Sequence, residues 1–147
     1  MSSLLWCDSF NTKQSLNPAD NRHWERETNI LVQRIENNYN CPRNNDNNCL
    51  SLTESSWIRK ITTTDGYYNV ILSFDANFMD NNGILFFEYT CYNNRNDTQF
   101  MSTYGNTNIT LPFECWNKRK IELKFDFISS NSTVFMDNIC LYGNKYQ

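Results

Sequence analysis

The stretch from Tyr68 to Tyr92 constrains the fold more than any other part of the chain. From Tyr68 to Phe78, Val70, Leu72, Phe74, Ala76 and Phe78 share one face, while Ile71, Ser73, Asp75 and Asn77 share the other. A period of two marks an extended strand with one buried face; a helix would repeat every 3.6 residues. Ile84 to Tyr92 repeats the pattern, with Leu85, Phe87, Tyr89 and Cys91 on one side and Glu88, Thr90 and Tyr92 on the other. Asn82-Gly83 lies between the two runs. Both residues accept the positive φ of a type I′ turn, so the dipeptide predicts a hairpin.

Further short runs of this kind follow along the chain. Strands are expected at Leu4–Phe10, Asn29–Ile35, Ser56–Thr63, Phe100–Tyr104 and Lys120–Phe127, where Ile121, Leu123, Phe125 and Phe127 alternate with Glu122, Lys124 and Asp126. Ile109–Leu111 precedes Pro112, which limits it to an edge or a turn. Asn17-Pro18 and Asp65-Gly66 mark turns, and Asn37–Asn48 and Asn93–Thr98 read as loops. The last run, Ser132–Gly143, is apolar but is cut by one acid, Asp137. A buried carboxylate needs a cation or several N–H donors, so Asp137 is expected to be paired or on a metal. No linker or internal repeat divides the chain. The 147 residues are expected to form a single domain, all-β, an antiparallel sandwich of two sheets.

The six cysteines are Cys7, Cys41, Cys49, Cys91, Cys115 and Cys140. No Cys-x-x-Cys occurs and His23 is the single histidine, which argues against a zinc site. Widely spaced cysteines in even number read as disulfides, hence an extracellular protein, secreted or at the cell surface. Sequence alone allows fifteen pairings. Proximity favours Cys41–Cys49 as a local staple, Cys91–Cys115 as a tie between strand ends, and Cys7–Cys140 as a link from first strand to last. Sequons at Asn96, Asn108 and Asn131 agree with a glycoprotein of that compartment. Leu4-Leu5-Trp6 is too short for a signal peptide, so a secreted form is expected to have lost its leader. No stretch is long enough to span a bilayer. With a net charge of −3 and no basic run, nucleic-acid binding is not expected.

Three places carry a family resemblance. The opening Cys7-Asp8-Ser9-Phe10 with Trp24, the pair Leu72-Ser73-Phe74-Asp75 and Leu85-Phe86-Phe87-Glu88-Tyr89, and the closing Val134-Phe135-Met136-Asp137-Asn138-Ile139 are involved. Together they resemble jelly-roll β-sandwich domains of the galactose-binding-like, carbohydrate-binding-module and MAM type. That resemblance implies a jelly roll and a structural Ca²⁺ between first and last strands, with Asp8 and Asp137 as its candidate ligands. Calcium would require further oxygens, including backbone carbonyls.

No catalytic pattern stands out. There is no Gly-x-Ser-x-Gly and no phosphate-cradling glycine loop, with only four glycines in all. Asp75, Glu88, Glu122 and Asp126 could pair as in glycosidases, but they read more simply as polar faces of half-exposed strands. The chain is therefore expected not to be an enzyme. Aromatics make up 15% of it, and sugar rings stack on exposed aromatics while amides, acids and guanidinium groups bind their hydroxyls. Tyr67, Tyr92, Tyr104 and Trp116, with Asn94 and Arg95, form the expected ligand surface. Two functions follow: a recognition module for adhesion or targeting, partnered by a glycan or an extracellular glycoprotein, or a structural subunit of an extracellular assembly contacting copies of itself.

Overall fold

Alternation along the chain becomes eleven strands in a computed structural model, which describes residues 2–11, 24–42, 47–91 and 105–147, and residues 94–101 by their backbone alone. They are β1 (Ser2–Asp8), β2 (Glu25–Arg26), β3 (Val32–Ile35), β4 (Cys49–Thr53), β5 (Ser56–Thr62), β6 (Tyr67–Phe78), β7 (Gly83–Cys91), β8 (Asn94–Met101), β9 (Gly105–Thr110), β10 (Ile121–Ser129) and β11 (Thr133–Lys145). The described helical structure is one 3-10 turn, Phe113–Cys115. One sheet runs β3-β4-β11-β6-β9, with β1 also paired to β11; the other runs β2-β5-β10-β7-β8. All described pairings are antiparallel.

The two sheets close over one apolar core. β6 supplies Val70, Leu72, Phe74 and Ala76, β10 supplies Leu123, Phe125 and Phe127, and β7 supplies Leu85 and Phe87, all buried. Phe125 holds the layers together, its ring 4.9 Å from Phe74 across the sandwich and 5.0 Å from Phe87 beside it. Burying a side chain of this size stabilises the fold by roughly 2–3 kcal/mol.

Asn82-Gly83 does not make the expected hairpin. β6 and β7 lie in different sheets, and neither residue has positive φ. Gly83 serves a different need, because a Cβ there would lie 2.3 Å from Phe127 Cζ. The missing side chain lets β7 cross close over the Phe127 ring as the chain changes sheets. Asn94 also departs from expectation, since β8 begins there within the expected loop. An edge strand needs backbone groups facing one neighbour, so a polar sequence does not prevent pairing. Tyr92, Tyr104, Asn17-Pro18 and His23 lie outside the described residues.

The last strand explains its own interruption. Val134 and Met136 face the core, then Asn138 adopts φ 49° and a bulge shifts the register between Asp137 and Cys140. Asparagine tolerates this left-handed backbone. The extra residue turns Ile139 and Leu141 inward, although a strict period of two would have pointed them out. On the other flank Cys7 stands opposite Cys140 in the β1–β11 register, and the two are bonded. Cys41–Cys49 and Cys91–Cys115 complete the described disulfides. The chain-entropy model assigns the first link, which spans 133 residues, about 5 kcal/mol.

Candidate functional site

Two sheet faces point away from the core, and their coverings differ. On the six-stranded sheet Phe135 is buried beneath Ile35 and the Cys41–Cys49 disulfide. Nearby, Asp75 accepts hydrogen bonds from Asn106 Nδ2 and Asn138 Nδ2, each at 2.9 Å, so this region's polar groups satisfy one another. On the five-stranded sheet the outward residues of β5, β7 and β10 are partly exposed.

That face is built by the same alternation that fills the core. Because Ile58, Leu123, Phe125, Leu85 and Phe87 point inward, their neighbours Trp57, Arg59, Glu122, Lys124, Asp126, Phe86, Glu88 and Thr90 project outward. Facing residues of antiparallel strands project to the same side, and the register arranges them in rows. Trp57, Asp126 and Phe86 form one row across β5, β10 and β7; Glu25, Arg59, Lys124 and Glu88 form the next, starting on β2. Ile61, Glu122 and Thr90 form a third. Glu88, Thr90, Glu122 and Lys124 line a concavity of about 320 Å³.

Trp57 sits under two cations. Lys124 Nζ lies 5.3 Å and Arg59 Cζ 6.0 Å from its ring centroid. Arg59 donates to Glu25 through Nε at 3.1 Å and through Nη2, and its Nη1 lies 3.1 Å from Glu122 Oε1. The bond to Glu25 is the main reason its pKa lies above the ordinary guanidinium value. Burial pushes the Asp126 carboxyl above the ordinary carboxylate range; the Lys124 charge opposes this and that of Glu88 adds to it. A half-buried indole, a neighbouring phenyl ring and charged groups able to take hydroxyls are thus gathered on one outward sheet face.

Of the ligand residues expected from sequence, Tyr67 and Trp116 lie at one end of the sandwich. Tyr67 and Trp116 are half-buried against the core. Trp116 Nε1 donates to the Leu111 carbonyl at 3.1 Å, and its ring meets Phe113 edge-on at 6.4 Å. Asn117 N–H donates to the Tyr67 carbonyl, which ties the two loops together. The backbones of Asn94 and Arg95 stand opposite Cys91 and Thr90, and Cys91 is bonded to Cys115 one residue before Trp116. Of the sequons, Asn108 is exposed on edge strand β9, Asn131 is exposed before β11, and Asn96 lies on the β8 backbone.

The two aspartates considered for calcium have separate partners. Asp8 Oδ2 accepts Trp24 Nε1 at 2.6 Å and pairs with Lys60 Nζ at 3.3 Å. Lys60 is a buried lysine on the core side of β5, its ammonium 4.8 Å from the Trp6 ring centroid and 5.5 Å from that of Trp24. Asp137 is fully buried, and its Oδ1 accepts the Asn138 N–H at 2.8 Å. No group of three acidic, histidine or cysteine side chains suited to a metal occurs among the described residues. The Lys60 ammonium supplies Asp8 with the counter-charge that a largely buried carboxylate needs.

Sequence reasoning did not single out Trp57 and Phe86. Their outward position was legible in the alternation of β5 and β7. That β10 lies between those two strands was not, and this order alone makes the rows.

Among the described residues no helix is long and apolar enough to cross a membrane. No family model matches the chain, and no curated protein matches it in sequence. Solved structures do. A family 61 carbohydrate-binding module in complex with β-1,4-galactotriose has a TM-score of 0.66 at 10% identity, covering 92% of this chain and 99% of its own. A family 27 module described for specific mannan recognition gives 0.58 at 9% identity, with 99% of each chain covered. A family 22 xylan-binding domain from Paenibacillus barcinonensis gives 0.57 at 10% identity, covering 99% of this chain and 97% of its own. At these identities the likeness establishes the fold: over nearly its whole length this chain is a jelly-roll β-sandwich of the kind found in carbohydrate-binding modules.

Proposed function

We propose that this chain is a non-catalytic recognition module that binds a glycan across the outward face of its five-stranded sheet. The observation that carries this reading is Trp57, half-buried under Lys124 and Arg59 and in one row with Asp126 and Phe86. With the Lys124 ammonium swung off the ring, the indole offers a flat apolar plate to the C–H face of a sugar. The carboxylates and cations around it meet the ring hydroxyls, and the adjoining concavity gives the chain a path. The solved carbohydrate-binding modules that share the fold support this reading. Three disulfides, stable where thiols oxidise, support an extracellular setting.

A glycan array followed by affinity electrophoresis tests it. Trp57→Ala is expected to weaken binding by about 2 kcal/mol, roughly 30-fold, the loss typical of a central aromatic anchor. Unchanged binding would move the site to the end carrying Tyr67 and Trp116. One observation favours a second reading, a structural subunit in contact with its own copies. Ile61, Ile84 and Ile128 are exposed on this sheet, with Ile84 opposite Ile128 in the register. No retention by any glycan, together with concentration-dependent oligomers, would establish that alternative.

A further inference from the structure

The two cations beside Trp57 are already engaged. Arg59 presents Nε and Nη2 to Glu25 and Nη1 to Glu122, so both edges of its planar fork face carboxylates. Lys124 lies over the Trp57 ring and stands opposite Glu88 in the register. A uronate or sulfate group would bind arginine through that same fork. On the described part of the face Glu25, Glu88, Glu122 and Asp126 outnumber Arg59 and Lys124.

We propose that Glu25 and Glu122 are specificity-determining residues which, by holding Arg59, make the sheet face a receptor for uncharged glycans and turn acidic ones away. The proposal rests on the glycan reading of this face and deepens it. Stability does not account for the arrangement, since ion pairs with side chains this exposed contribute little to folding. Charge placed at a binding surface instead selects partners, both by attraction and by exclusion. With Glu25 and Glu122 neutralised, the Arg59 fork would turn to a ligand anion while Trp57 still received the ring.

The test compares wild type, the double variant Glu25→Gln/Glu122→Gln and Trp57→Ala by affinity electrophoresis and calorimetry. β-1,4-Galactan and β-mannan serve as uncharged probes and polygalacturonate as the acidic one, with thermal melts to establish folding. Wild type is expected to bind an uncharged probe and not polygalacturonate. The double variant is expected to bind polygalacturonate at least about tenfold more tightly than wild type, a gain that fades as salt screens it. Trp57-dependent binding of polygalacturonate by wild type would overturn the proposal, as would a folded double variant with no such gain. Absence of Trp57-dependent binding to every probe and to the glycan array would instead overturn the glycan reading beneath it.

Discussion

Replacing Lys60 with methionine tests whether a side-chain ammonium does at this position what a metal ion would otherwise do. Lys60 belongs to the five-stranded sheet and Asp8 to β1 of the other, so their ion pair crosses the sandwich. The lysine side chain is 5% exposed and that of the aspartate 16%. Removing one partner of a buried pair costs about 3–5 kcal/mol, because the charge left behind is desolvated and uncompensated. Here the cost falls near the lower end, since Asp8 keeps its bond from Trp24 and some contact with solvent. Methionine fills most of the vacated volume, so the cavity contribution is small.

Lys60→Met is therefore expected to destabilise by about 3 kcal/mol, a fall in Tm of roughly 6–12 °C for a domain of this size. Asp8→Asn alone costs less, about 2 kcal/mol, because the lysine keeps its two indole rings. The double variant is expected to fall short of the sum by about 2 kcal/mol, as coupled neighbours do. Urea denaturation of the four proteins with disulfides intact measures the cycle. A loss under about 1 kcal/mol for Lys60→Met, or strict additivity, would refute the internal-cation account. So would a rise in wild-type Tm with millimolar Ca²⁺, because an ion would then be reaching these carboxylates despite the lysine.

Three further outcomes follow from single atoms. Gly83→Ala places a methyl 2.3 Å from the Phe127 ring, and the overpacking is expected to cost about 1–3 kcal/mol by chemical denaturation. Ser56→Ala is expected to be neutral or to stabilise by up to about 1 kcal/mol, since the buried Ser56 hydroxyl has no hydrogen-bond partner among the described residues. Asp126→Asn is expected to stabilise at neutral pH. The folded state raises this pKa above the ordinary 3.8, mainly through burial, so the wild-type penalty is absent below that value, grows as pH rises through the folded pKa and is constant above it. Denaturation curves of the two proteins should converge on acidification, and a gap that widens at low pH would contradict the assigned cause.

What sequence revealed and what it hid follow from the range of each signal. Alternation is local, so β5, β6, β7, β10 and β11 were legible from their own residues, as was the polar row of Glu122, Lys124 and Asp126. The first and last strands could be joined because Cys7 and Cys140 leave few sensible partners once a local staple is assigned. Asn82-Gly83 misled for a physical reason. The dipeptide permits a type I′ turn, yet it sits where the chain changes sheets, and there the glycine is required by the Phe127 ring, which is distant in sequence. Lys60 was equally hidden. Within β5 it occupies an inward position, but only β1 and Trp24, brought from elsewhere in the chain, make that position habitable for a charge.

The candidate site shows the same limit in sharper form. Trp57, Asp126 and Phe86 each belong to a strand whose outward residues could be named from sequence. They become one surface because β10 inserts between β5 and β7, an order that spans residues 56 to 129 and leaves no local trace. Loop aromatics attract attention in a sequence because nothing in their own segment accounts for them. Tyr67 and Trp116 are accounted for by packing, through a carbonyl bond, a disulfide neighbour and the core beneath. Trp57 reverses this. Its strand accounts for its direction, but no described packing contact requires a tryptophan on the outward face, where a threonine or lysine would serve the sheet as well. An indole held beside two cations, on the outward face of the five-stranded sheet, is a residue that the described packing does not require, and the proposed glycan site would explain its presence.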